Sequence, residues 1–372
     1  MDAELWHSWC TTPMVEEPPA LSLYQWKHLA SDDREAHTDC LDKWLRQTYL
    51  DTAEWRAVSS TITKLVTNNS RERLGTKDII VLTGPNVIGK STLMMNWGRE
   101  QYNLWTHGAA VDRRGRPVIR LNEYCEADLS PIVWIDLRDL SRNSTIDRKL
   151  LNFHGVPPAG NNDALSIAVD NAFKRHRTLA TIVDDTHLAW LDSKLGRQVL
   201  DHIKYLNTQL GQIGATLILV GANLQDTELV HDPQIRGRLK LLTLYPYYVD
   251  DAAHQAVWQR VVKQIEDRVL PVLPAGKTGM LFMQLAGELW YRSNGFPGHL
   301  VELVVEATLI ATRDGTHRIT RKHLDAIQLS EGAEDKLATH VAKRASSSDP
   351  AGVKPAQNKR NLRGEGIVAR TS

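Results

Sequence analysis

Cysteine is scarce in this chain of 372 residues: there are three, Cys10, Cys40 and Cys125, in unrelated contexts. Three scattered thiols supply neither a disulfide framework nor a metal-binding spacing, and they fit a reducing compartment. Long apolar runs are also missing; none approaches the ~20 residues needed to span a bilayer. The opening residues, MDAELWHSWCTTPMVEEPP, carry acidic side chains and lack the apolar centre of a secretory signal. No internal repeat is present. The expectation is a soluble cytoplasmic protein with no membrane contact. Neither charge sign dominates, with 45 Lys and Arg against 44 Asp and Glu. That even balance conceals a local excess. From Lys343 onward seven basic residues (Lys343, Arg344, Lys354, Lys359, Arg360, Arg363, Arg370) face two acidic ones, Asp349 and Glu365. Such a tail reads as disordered and cationic, suited either to weak attraction to nucleic acid or simply to keeping the chain in solution.

What is present begins with GPNVIGKST, residues 84–92. Gly84, four residues, then Gly89-Lys90-Ser91 spells a phosphate-binding loop. DIIVLT directly before it is a β-branched apolar run of the kind that forms a buried strand, and LMMNWGREQYNLW after it is helical in character. Strand, glycine loop and helix together make an anion site. The N–H groups of Gly84, Pro85-flanking Asn86, Val87, Ile88, Gly89, Lys90, Ser91 and Thr92 surround phosphates, the Lys90 ammonium reaches the outer oxygens, and the Ser91 hydroxyl takes Mg²⁺. ATP and Mg²⁺ are the cofactors this implies.

Strand-like runs recur at 131–137 (PIVWIDL), 179–185 (LATIVDD) and 215–222 (ATLILVGA), with helical stretches between them. That alternation predicts an α/β fold with a parallel sheet covered by helices on both faces. Before it, residues 1–75 read as a helical extension; Leu41, Trp44, Leu45 and Tyr49 share one face. The sheet-bearing core is placed at 76–250, a small helical domain at 251–335, and the basic tail at 336–372.

A phosphate loop needs a carboxylate to hold Mg²⁺ and a group to orient the attacking water. LATIVDDTH ends in Asp184 and Asp185. Asp184 is read as the Mg²⁺ carboxylate and Asp185 as the water-orienting base, although Asp185 or Thr186 would also serve as a helix N-cap. The fourth strand ends at Asn223, placed to hydrogen-bond a γ-phosphate or water. Farther on, QIRGRL offers Arg236 and Arg238, either of which could reach the nucleotide of a neighbouring subunit.

The run VDDTHLAWLDSKLGRQVLDHIKYLNTQLGQIGATLILVGA resembles the TniB/TnsC-type AAA+ regulators of DNA transposition: D-E-x-H, then a long amphipathic helix, then a strand and glycine. Its apolar stripe is Leu188, Leu191, Leu195, Val199, Ile203, Leu206 and Leu210. DPQIRGRL is similar to the family's D-x-Q-L-x-x-R-F element, which places the arginine finger on Arg238 rather than Arg236. The resemblance covers roughly residues 76–330. It implies an AAA+ P-loop ATPase with a helical lid. Such a protein assembles with ATP into a homo-oligomeric ring or filament on duplex DNA, contacts its backbone, and recruits a DDE transposase, sometimes with a target-selector protein. DNA-facing candidates are Arg113, Arg114 and Arg116 in an insert over HGAAVDRRGRPVIRLNEYCEADL, and Arg142, Arg148 and Lys149.

Two departures from that family stand out. Its glutamate is Asp185 here, one methylene and about 1–1.5 Å shorter, a displacement that can cost about a hundredfold in rate. In SNGFPGHL (Ser293 to Leu300), Gly298 or His299 stands where such lids often carry arginine. Initiator or helicase-loader ATPases are an alternative, though they ordinarily add a winged helix for which 336–372 is short and polar. A signalling or defence ATPase and a non-hydrolysing nucleotide-binding scaffold are the others.

Overall fold

The computed structural model of the chain describes residues 1–137, 142–189 and 194–330. The basic tail and Leu191 lie outside these. The chain starts with four helices, α1 (Ala3–Thr11), α2 (Leu23–His28), α3 (Ser31–Leu45) and α4 (Ala53–Arg71). They do not form one body. Two compact units share them: Met1–Thr12 and Ala53–Leu244 make the first, Pro13–Thr52 and residues 245–330 the described part of the second. Residues 1–75 are thus divided between the units, and side chains show why. Trp6 of α1 is fully buried and stacks on Trp134 at 5.7 Å, whereas Leu41, Trp44 and Leu45 of α3 belong to the core of the second unit.

The first unit is built on a five-stranded sheet. Its strands are β1 (Ile79–Gly84), β5 (Ile132–Asp136), β6 (Ala180–Asp184), β7 (Thr216–Ala222) and β8 (Leu239–Thr243), in the spatial order β5-β6-β7-β1-β8, every neighbouring pair parallel. Strands covered on both faces are apolar along their whole length, and IIVLTG and TLILVGA are buried at every position. The edge strand β8, LKLLT, is only partly buried, and its mixed pattern gave a weaker strand signal.

Between β1 and β5 lie α5 (Lys90–Thr106) and a separate antiparallel sheet of β2 (Ala110–Val111), β3 (Pro117–Asn122) and β4 (Cys125–Asp128). This hairpin is the insert expected from the sequence. Asp112 shapes its first turn, accepting hydrogen bonds at Oδ1 from the N–H groups of Arg114 (2.8 Å) and Arg116 (2.9 Å). Helices α6 (Asn143–Phe153), α7 (Asn162–Arg175) and α8 (Lys194–Gln212) follow, then two single turns, α9 (Glu228–His231) and α10 (Pro233–Arg236). Of the long apolar stripe, Val199, Ile203, Leu206 and Leu210 are buried on α8, and Leu188, in the turn before it, is half-buried. Asp147 of α6 ties three helices together: it accepts from His202 Nε2 of α8 (2.7 Å) and from Ser166 Oγ of α7 (2.8 Å).

The second unit is helical. Its remaining helices are α11 (Ala252–Val269), α12 (Ala286–Ser293), α13 (Pro297–Arg313) and α14 (Arg321–Asp325). Leu289, Leu300, Leu303, Val304 and Ala307 join Trp258, Val262 and Ile265 in its core. Glu266 is fully buried and accepts hydrogen bonds from the backbone N–H groups of Gly279 (2.6 Å), Leu281 (2.6 Å) and Phe282 (3.3 Å). Arg268 lies 4.0 Å from the Trp44 ring centroid and donates to the Trp44 carbonyl, which fastens α3 to α11. No helix among the described residues is long and apolar enough to cross a membrane.

Candidate nucleotide-binding site

Parallel strands in this order leave a crevice at their carboxyl ends, where β7 lies between β1 and β6. All the residues expected to touch phosphate and metal emerge at that edge. Gly84 ends β1 at φ +148°, and a Cβ there would stand 2.5 Å from the Leu244 carbonyl oxygen, so no other residue fits. Gly89 is the N-cap of α5 at φ +95° and offers no side-chain cap. The first N–H groups of α5 are therefore left facing the loop that Pro85, Asn86, Val87 and Ile88 form. Ile88 is buried and packs toward Gly84, while Val87, at φ +64°, is exposed. Backbone donors at a helix N-terminus in a glycine-lined loop are the donor set an anion requires.

Lys90 is buried, and its ammonium donates to the carbonyls of Gly84 (3.0 Å) and Pro85 (2.8 Å). Burial lowers its pKa, against the raising influence of Asp184 and Asp185. A cation hydrogen-bonded to the carbonyls of its own loop is placed to exchange them for phosphate oxygens. Asp184 ends β6 and is buried; burial raises its pKa, while hydrogen bonds from the Ser91 hydroxyl and the Asp185 N–H (2.8 Å) act the other way. Ser91 and Asp184 thus meet directly. A hydroxyl and a carboxylate oxygen side by side are hard oxygen ligands of the kind Mg²⁺ takes, so the residues present fit that ion.

Asp185 is partly exposed and sits at φ +54° in the left-handed region, where Asp is tolerated better than most residues. Its carbonyl accepts from the Leu188 N–H (2.9 Å), closing a tight turn over Thr186–Ala189 rather than capping a long helix. His187 of that turn accepts a hydrogen bond at Nδ1 from the Ala222 N–H (3.2 Å), linking the aspartate turn to the end of β7. Gly221 permits this approach, since a Cβ there would lie 3.0 Å from the His187 nitrogen. Asn223, at φ +49°, donates its N–H to the Gly84 carbonyl (3.3 Å), so the end of β7 abuts the start of the phosphate loop. Thr83 reinforces the join, accepting from the Leu224 N–H (2.8 Å) and donating to Gln225 Oε1 (2.8 Å).

Arg238 is elsewhere. It is exposed at the opposite end of the sheet, where its carbonyl accepts from the Ile79 N–H (2.8 Å), one residue before the β1–β8 register begins at Ile79↔Leu239. Six residues at ~3.3 Å each put it ~20 Å from its own Gly84. Arg236, also exposed, ends α10, whose N-cap Asp232 pairs with Lys204 at 2.7 Å. Among the arginines and lysine expected to face DNA, Arg116 is engaged by Asp112 (2.9 Å) and Asp128 (3.5 Å), Arg114 by Glu4 (3.5 Å) and Lys149 by Asp136 (3.3 Å). Arg113, Arg142 and Arg148 are exposed. In the second unit, His299 is buried on α13, and Arg292 is also buried, donating to the carbonyls of Leu324 and Ile327 (both 2.6 Å).

Sequence reasoning assigned no role to Thr83, Gln225 or Asp136, and it read His187 only as part of the D-D-x-H run. Asp136 is in register with Asp184 on the neighbouring strand, a third carboxylate at the same edge. Thr83 and Asp136 occupy the last two positions of their strands, and His187 and Gln225 stand three residues beyond theirs; that placement is the signal that could have found them.

No family model matches the chain, and no curated protein does either. Among solved structures it is similar to the Orc1 protein of Aeropyrum pernix in complex with DNA, at 14% identity and a TM-score of 0.50, covering 82% of this chain and 69% of that one. It is likewise similar to the Orc2 protein of the same organism, solved as ADPNP and ADP complexes, at 13% identity and a TM-score of 0.51, covering 80% and 73%. At such identities the likeness is one of fold. The fold is that of AAA+ P-loop ATPases.

Proposed function

We propose that this protein is an ATP-dependent switch that assembles on duplex DNA, recruits a transposase to it, and resets by slow hydrolysis. The carrying observation is the convergence of Lys90, Ser91, Asp184, Asp185 and Asn223 on one sheet edge, around a helix N-terminus that no side chain caps. In this reading the loop 84–92 and Lys90 bind the phosphates of ATP, and Ser91 with Asp184 hold Mg²⁺. That ion, when bound, draws charge from the phosphate oxygens. Asp185 orients the attacking water, and Asn223 hydrogen-bonds the γ-phosphate side. Arg238, too far to serve its own site, serves the next subunit's.

Transposition is supported by the combination of the D-D-x-H run, the α8 stripe and D-P-Q-I-R-G-R. A second reading, a replication-initiator-like ATPase, draws on the likeness to the A. pernix Orc proteins, one of which was solved with DNA. Both readings are of a cytoplasmic, DNA-associated oligomer. In either, the test is duplex binding measured with no nucleotide, with ADP and with a slowly hydrolysed ATP analogue. Binding should require the analogue, weaken steeply with salt through counterion release, and vanish in Lys90→Ala. Equal binding in all three states contradicts the switch. Co-purification with a DDE transposase, rather than with a helicase, separates the two readings.

A further inference from the structure

The face of α4 that packs on the sheet carries Trp55, Val58, Ile62 and Val66, all buried. Polar contacts fix this helix along its length. The Asn69 side-chain amide donates to the Asp78 carbonyl and to Thr216 Oγ1 (both 3.0 Å), at the amino ends of β1 and β7. Thr63 Oγ1 accepts from Trp97 Nε1 of α5 (2.9 Å). From Asn69 back to Trp55 is fourteen residues, ~21 Å of helix, about the length of β1. The first turn of α4 is thereby carried to the carboxyl edge, where the phosphate loop is.

There the Trp55 ring meets Gly89. A Cβ at Gly89 would stand 2.5 Å from Trp55 Cη2 and 2.7 Å from Cζ2, so the indole occupies the space a side chain at 89 would need. Gly89 is thus required twice, by its φ of +95° and by the ring against it. Trp55 is only 5% exposed, which leaves it no open face on which a base could stack. Trp55 also stands two residues after Ala53, where the chain enters the first unit from the second.

We propose that Trp55 is a positioning residue for the phosphate loop: its ring, held by α4, braces Gly89 in the left-handed conformation that aims the α5 N-terminus at phosphate. The inference rests on the reading of residues 84–92 as the nucleotide site. It makes Trp55 a regulator of that site's affinity and a reporter of its occupancy.

The test uses the full chain, with ADP and a slowly hydrolysed ATP analogue as probes, in the wild type and in Trp55→Phe, Trp55→Leu and Trp55→Ala. Calorimetry should show binding about tenfold or more weaker in Trp55→Leu and Trp55→Ala, and within about threefold of wild type in Trp55→Phe, because without a ring against Gly89 the N–H donors of the loop and of the α5 N-terminus lose their aim at phosphate. Thermal unfolding run in parallel identifies any variant that fails to fold; Trp55→Phe, which keeps an aromatic ring, then still decides the matter by fluorescence. Nucleotide should change tryptophan emission in the wild type, and that change should disappear in Trp55→Phe although the variant binds. Unaltered affinity in a folded Trp55→Leu or Trp55→Ala, or an emission change retained in Trp55→Phe, overturns the proposal while leaving the nucleotide site intact. If the wild type binds neither probe, the reading of the site itself fails.

Discussion

Replacing Arg238 with alanine separates action within a subunit from action between subunits. The arginine lies ~20 Å from its own phosphate loop along β1 and β8. Across that distance in water a unit charge contributes about 0.2 kcal/mol before screening, and the ~8 Å Debye length at physiological salt removes most of it. If Arg238 acted only on its own site, Arg238→Ala would leave turnover unchanged within error. If it reaches a neighbour's γ-phosphate, the loss should be about a thousandfold or more, because a guanidinium there stabilises transition-state charge directly. The assay is ATP turnover per subunit against protein concentration. Wild-type activity should rise with concentration as subunits assemble, and Arg238→Ala should stay flat while still binding ATP. Arg236→Ala should retain the rise. Mixing Arg238→Ala with Lys90→Ala subunits should restore part of the activity, since each lacks a different half of a shared site. Co-assembled mixtures that remain inactive would refute the reasoning.

Asp185→Glu should raise turnover by up to about a hundredfold if side-chain length limits the reaction, measured as steady-state phosphate release. A modest fall in thermal midpoint should accompany it, because the left-handed backbone at 185 suits aspartate better. The stacked rings of His154 and His176, 4.5 Å apart and buried, set a pH dependence. Burial, helped by the neighbouring His176, pushes His154 down to about 3, and burial also lowers His176. Above about pH 6.5 both rings are neutral folded or unfolded. Below it the unfolded chain binds protons that the folded chain refuses. Stability should therefore fall between pH 7.5 and 5.5, by about 1.4 kcal/mol through His154 alone and further through His176; urea titrations at the two pH values check this, and His154→Leu should flatten the slope. Glu266→Gln should destabilise the helical unit by about 3 kcal/mol, because the amide sets an N–H donor against backbone N–H groups the carboxylate accepts; denaturant unfolding measures it.

Much of the candidate site was legible because its residues are local in sequence. The phosphate loop is nine contiguous residues, and Asp184 and Asn223 each end an apolar run whose length marks it as a buried strand. What was not legible depends on packing between distant segments. Nothing in AEWRAV says that the Trp55 ring will lie against Gly89, thirty-four residues later. The edge strand β8 was missed because one-sided burial lets Lys240 and Thr243 interrupt its apolar pattern. Residues 1–75 read as one extension, since helical periodicity marks an apolar face without naming its partner; α1 and α4 pack in one unit and α2 and α3 in the other.

The most direct test of the central claim is ATP turnover measured with and without duplex DNA of increasing length, at fixed protein concentration and salt. A nucleotide switch that assembles on DNA should hydrolyse slowly alone and faster as the duplex lengthens, with Lys90→Ala silent throughout. Turnover that ignores DNA at every length, in a protein that demonstrably binds ATP, would contradict it.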